Sequence, residues 1–147
     1  MNGRLFNNIG VCSLAIAFVV QHLDRLTLAK ALLIIPLITN AELLKYLARK
    51  TTKNQTIEQL IVKKPKCFSN FNARYYDALL VSINSIQLLV EIGLLELVDG
   101  KIITTERLNY DKSMGKRAEK IFKASSNLAD LVNSDIEDLY INLRVQL

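Results

Sequence analysis

The chain has 147 residues and a formal net charge of +5, with half of its residues hydrophobic and a mean hydropathy of +0.20. That length suits one domain that buries about 70% of the surface its unfolded form exposes, so no disulfide or metal staple is required, and two cysteines without C-x-x-C spacing, Cys12 and Cys67, read as packed thiols. The apolar excess implies a surface that a partner covers, because large bare patches are uncommon on monomers.

Asn7 or Asn8 is placed to cap a first helix running to about Leu23, with Ile9, Cys12, Ile16, Val19 and Val20 on one face. Gly10, Ser13 and Ala17 line its other side, where small residues suit close packing against the chain's own long helix or, less favoured, a subunit seam. The apolar run Ile9 to Val20 is too short to span a bilayer, and its only A-x-A lies inside the run, where a cleaved leader does not have it. The expectation is a cytoplasmic protein with no membrane partner. His22 has no second histidine or nearby cysteine at ligand spacing, so no metal site is expected.

Pro36 argues against a continuous helix over Leu28 to Ile38 and pushes Ile35 toward extended geometry. Thr39 and Glu42 have capping-box spacing ahead of a helix from about Ala41 to Lys50, and Thr56 and Gln59 repeat that spacing ahead of a short helix stopped by Pro65. From Ala73 to Ile92 apolar residues cover most of a helical circumference, which predicts a helix in the middle of the core. Gly93 is placed for a positive-φ helix stop. Two short runs around Asp99-Gly100 predict a β-hairpin at about 95–104, because a type I′ turn needs positive φ at both central residues. Helices follow at about Lys116 to Val132, with Ser125-Ser126-Asn127 as a candidate kink, and about Asp135 to Val145, opened by Ser134 and Glu137. The fold class is therefore mainly α. A compact helical core with the hairpin occupies residues 1–108, and a C-terminal helical extension of the same domain occupies 109–147.

Catalysis needs converging groups with tuned proton affinities, and neither a nucleophile with its base, a glycine-rich phosphate loop nor a carboxylate cluster is present. The expectation is a protein that is not an enzyme and takes no cofactor or small-molecule substrate. What stands out is basic: Lys45, Arg49, Lys50, Lys53, Lys63, Lys64 and Lys66 face one acid, Glu58, across a short segment. Such clusters suit phosphate contacts, and these seven are the candidate nucleic-acid residues; the alternative is a solvated face. A weaker cluster comprises Lys112, Lys116, Arg117, Lys120 and Lys123. The helix-then-hairpin order resembles a winged helix, which would make a stand-alone DNA-binding regulator the second reading. A base-reading helix must offer Arg, Lys, Asn or Gln along one face, and the helix before this hairpin offers core residues, so such a core would be degenerate and turned to protein binding.

The hydrophobic first helix, the Leu33-Ile-Ile-Pro36-Leu37 run, Ala73-Arg74 opening an apolar helix that ends in Gly93-Leu94-Leu95, and the Asp99-Gly100 hairpin together resemble the small middle component of bacterial three-component ABC-ATPase systems of the Lamassu-type defence group. The resemblance covers roughly residues 5 to 108. It implies an accessory subunit without an active site, whose partners are an SMC-like ABC ATPase with a long coiled coil and an effector, often a nuclease. It further implies that the subunit joins or restrains these partners until foreign DNA from a phage or plasmid is sensed, with DNA reached through the complex.

Overall fold

The computed structural model describes residues 8–49 and 56–147. Its centre is the first helix, α1 (Ile9–Val20), in which eight of twelve residues are buried. Asn8 caps it by accepting the Val11 N–H at 3.0 Å. A helix with no formal charge and few bulky polar groups has no side suited to water, and here it is enclosed. After it come β1 (Leu26–Thr27), α2 (Leu28–Ala31), α3 (Ile34–Ile38), α4 (Ala41–Leu47), α5 (Ile57–Lys63), a 3-10 turn (Pro65–Phe68) and α6 (Phe71–Glu91). The hairpin β2 (Leu95–Val98) and β3 (Lys101–Thr104) leads through a second 3-10 turn (Lys112–Met114) to α7 (Lys116–Val132) and α8 (Ile136–Leu143). The fold is thus mainly helical, with one small antiparallel sheet.

α1 packs most extensively on α6 and on α7, which have no comparable contact with each other; α3 closes against α1 and α6, and α4 against α7. Of the small stripe of α1, Ser13 and Ala17 are buried, whereas Gly10 is exposed.

The expectation that the long helix runs through the middle of the core is overturned. α6 buries Phe71, Tyr75, Ala78, Ser82, Ser85, Ile86 and Leu89, while Leu80 is 70% and Ile83 46% exposed. The inward stripe is built around the small residues Ala78, Ser82 and Ser85, which bring the α6 backbone near its neighbours. Counting hydrophobicity alone gave Leu80, Ile83 and Val90 to the interior as well, and these point outward. Burial of the serines leaves the Oγ atoms of Ser13, Ser82 and Ser85 without hydrogen-bond partners.

The C-terminal end of α6 and the hairpin are as read, whereas the helix starts at Phe71, two residues before the expected Ala73, without a side-chain cap bond from Asn70. Gly93 (φ 84°) donates to Val90 O at 3.2 Å and Leu94 to Leu89 O at 3.0 Å, the paired bonds of a Schellman stop. Asp99 and Gly100 both take positive φ, 52° and 73°, and the strands pair Leu95 with Thr104 and Val98 with Lys101. The third strand, β1, adds Leu26 opposite Ile102, giving the order β1-β3-β2. Two residues are too few to register as alternation, which is why the sequence did not reveal it.

Local corrections follow from capping. Pro36 lies inside α3 and Ile35 is helical; as the third residue of the helix, proline lacks an N–H that would have had no intrahelical acceptor. The cap of α4 is Asn40, accepting the Leu43 N–H at 2.8 Å, while Thr39 donates to Pro36 O at 2.8 Å. Thr56 and Gln59 form the expected reciprocal box. At α8 Asp135, not Ser134, caps, accepting from Glu137 and Asp138. α7 runs unbroken through Ser125-Ser126-Asn127. Ser125 donates to Phe122 O of the preceding turn at 2.7 Å, and two of these polar residues serve tertiary bonds: Ser125 meets His22 Nε2 at 2.9 Å, and Asn127 donates to Leu47 O at 2.8 Å.

Candidate interaction surfaces

The two motifs Pro36 and Arg74 meet in space. The Arg74 guanidinium donates to Pro36 O at 2.7 Å, to Cys67 O at 2.8 Å, to Ser69 O at 3.2 Å and to Thr39 Oγ1 at 3.3 Å. It also stacks over the Phe71 ring at 5.0 Å. One side chain thus collects the carbonyls that α3 and the 3-10 turn leave unpaired at their ends. Its role is to lock α3, the turn and α6 together, and it is not available to a ligand. Nearby, Cys67 Sγ lies 3.2 Å from Glu42 Oε2; burial first, then the Glu42 hydrogen bond and charge, push this thiol up to about 11. Burial likewise pushes Cys12 up to about 11. Both cysteines are buried thiols outside any disulfide, as packed sulfur should be.

His22 lies in the turn that follows α1, which stops at Val20, short of the expected Leu23. Because Ser125 Oγ donates to Phe122 O, the His22 Nε2 donates to Ser125. Desolvation holds His22 below its ordinary value, with the Arg107 charge acting in the same direction and Asp130 opposing them. Among the described residues no group of His, Cys, Asp and Glu is arranged to hold a metal ion, and no helix is long and apolar enough to cross a membrane.

The basic residues fall differently from their order in the chain. Lys45 and Arg49 lie on α4 and its end, and α4 packs on α7. With Lys116, Lys120 and Lys123 of α7 they line one open concavity of about 330 Å³, whose one acid, Glu119, pairs with Lys123 at 3.9 Å. The fold therefore fuses part of the first cluster with the second, which sequence reasoning had kept apart. Lys63 and Lys64, at the end of α5, converge on Tyr46 of α4: their Nζ atoms lie 5.3 and 5.2 Å from the ring centre, and the Arg49 guanidinium lies 5.6 Å from it. Three cations around one ring repel one another, a cost that the ring's negative face offsets in part and that a bound anion would relieve. Lys66 is exposed on the neighbouring 3-10 turn, and Lys50 and Lys53 lie outside the described residues. Gly93, Asp99 and Gly100 act as helix stop and turn.

A second surface lies on α6 and the hairpin. Tyr76, Leu80, Ile83 and Val90, with Ile92, Leu97 and Val98 beyond them, are exposed apolar residues. From Phe71 to Gly100 the only base is Arg74, turned inward, against Asp77, Glu91, Glu96 and Asp99. The helix preceding the hairpin thus offers apolar and acidic groups, which suit neither phosphates nor the base contacts of a winged-helix reader. Because α6 and α7 contact α1 separately, the apolar-acidic and basic surfaces lie on different helices packed against it.

The family model describing the ABC-three component (ABC-3C) system Middle Component 3 matches residues 4–147. No curated protein and no solved structure matches the chain.

Proposed function

We propose, since the chain belongs to the Middle Component 3 family of ABC-three component systems, that it is the non-catalytic subunit that joins or restrains an SMC-like ATPase and an effector nuclease. The complex so formed acts in the cytoplasm against phage or plasmid DNA. A middle component is the accessory, non-ATPase member of a multi-component system. The observation that carries the joining role is the pair of unlike surfaces: an apolar-acidic one on α6 and the hairpin, with Leu80 and Ile83 exposed, and a basic one on α4 and α7. A subunit with two chemically distinct faces can hold two different partners without their competing. The basic face, together with Lys50, Lys53 and Lys66, is placed in this reading against nucleic-acid phosphates near the ATPase. The stand-alone regulator is less well supported, because its reading helix would be α6, whose exposed charges are acidic.

The test is affinity purification of the tagged chain co-expressed with the proteins encoded beside it. Recovery of a coiled-coil ATPase and an effector is expected; recovery of the chain alone overturns the proposal. For the basic face, anisotropy with duplex DNA is expected to fall off linearly in log–log salt titration with a slope of about −0.9 per phosphate neutralised. Charge reversal at Lys45, Lys120 and Lys123 should abolish that binding, and an unchanged affinity would assign these lysines to solvation.

A further inference from the structure

The outward residues of α6 have a repeat of their own. Tyr76, Leu80, Ile83, Gln87 and Val90 are spaced by four, three, four and three, and all five are exposed. Alternating steps of four and three give the 3.5-residue period of a coiled-coil seam, in which alternate positions insert between side chains of a facing helix. These positions share one side of the helix, away from the inward stripe (Ala78, Ser82, Ser85, Leu89) that the core covers. The seam extends over fourteen residue steps, about 21 Å at 1.5 Å per residue. Gln87, its fourth position, donates to Glu91 at 3.4 Å; a polar residue at one seam position specifies register at some cost in affinity.

The border of the seam identifies its occupant. Asp77 and Glu91 flank it on α6, and Glu96 and Asp99 stand on the adjoining hairpin, all exposed. The one base of α6, Arg74, is committed to carbonyls within the fold. A second copy of this chain offers these acids no counter-charge: in a parallel pair the flank of Asp77 and Glu91 faces the opposite flank of the other copy, Leu79 and Ile86, and in an antiparallel pair Asp77 meets Glu91 of the other copy. Like charges at flanking positions disfavour the antiparallel pairing. We propose that the α6 seam docks a helix of another protein that carries an apolar seam of the same period flanked by Lys or Arg. This names the chemistry of one partner for the joining role proposed above. A synthetic probe tests it apart from that role, because the probe needs neither ATPase nor effector.

The probe is a 21-residue helical peptide with Leu at both seam positions of each heptad and Lys at the flanking ones, compared by fluorescence anisotropy with a counterpart carrying Glu at the flanks. The Lys-flanked peptide is expected to bind the full chain at least tenfold more tightly than the Glu-flanked one. L80E/I83E should remove that binding, whereas I141E, at an exposed apolar position on α8, should leave it unchanged. D77K/E91K should reverse the preference between the two peptides, a gain that general loss of structure does not produce. All these positions are solvent-facing, and thermal melts establish that each variant folds. The proposal is overturned if neither peptide binds, if both bind equally, if L80E/I83E binds as the parent does, or if sedimentation shows the chain self-associating through residues that L80E/I83E disrupts.

Discussion

Replacing Arg74 by Ala removes the side chain that ties three elements together. Four hydrogen bonds are lost, to Pro36 O, Cys67 O, Ser69 O and Thr39 Oγ1, together with the stacking on Phe71 at 5.0 Å. Bonds to a charged donor contribute roughly 1.5–3 kcal/mol each in favourable settings, but they do not all count in full. Water replaces the guanidinium at Ser69, whose bond is exposed, and Pro36 O keeps the Thr39 hydroxyl as donor. The loss is therefore dominated by the Cys67 carbonyl, the second donor to Pro36 and the ring contact, about 2–4 kcal/mol in all. For a domain of this size that lowers Tm by roughly 5–15 °C. Arg74→Lys keeps the charge but only one reach, and should lose about half as much. Urea unfolding followed by circular dichroism measures both. A loss below about 0.5 kcal/mol for Arg74→Ala would refute the reasoning, because it would mean that the carbonyls are as well served by water.

Ser82→Ala and Ser85→Ala should be neutral or stabilise by up to about 1 kcal/mol, since each removes a buried hydroxyl without a partner; a loss larger than that in urea unfolding would show that the hydroxyl is bonded. Stability should fall as the pH drops through the ordinary histidine value of 6.5 toward the lower value of folded His22, because over that window the unfolded chain takes up a proton that the folded chain resists. His22→Gln should flatten this part of the profile in urea titrations between pH 7.5 and 5.5, and an unaltered slope would exclude the histidine as its source. Both thiols, pushed up to about 11, should react with Ellman's reagent at pH 8 only as fast as the chain unfolds; rapid labelling of the native protein would contradict their burial.

Much of the fold was legible because it is written locally. The Gly93 stop, the Asp99-Gly100 turn and the Thr56/Gln59 box each follow from backbone chemistry within a few residues. The extent of α7 followed from its periodicity, and the structure starts and ends it at Lys116 and Val132. What sequence reasoning missed was decided by distant parts. The choice between α1 and α6 as the buried helix turned on which stripe of α6 was thin enough to pack, and serines at 82 and 85 look polar until a neighbour is placed against them. The caps at Asn40 and Asp135 displaced the expected Thr39 and Ser134, in the first case because Thr39 is engaged with Pro36 O. The basic concavity was hidden for a related reason: Lys45 and Lys120 become neighbours only when α4 packs on α7. The seam on α6 was readable in principle, since its steps of four and three lie in the sequence, but it was merged with the inward stripe into one broad apolar helix.

The central proposal is that this accessory component joins two partners. The measurement that tests it most directly is the mass of the assembly formed by the proposed ATPase and effector partners, purified with and without this chain and weighed by sedimentation. The account predicts one complex containing all three components when the chain is present and separate species when it is omitted. An ATPase–effector complex of full size and stability without the chain would contradict it.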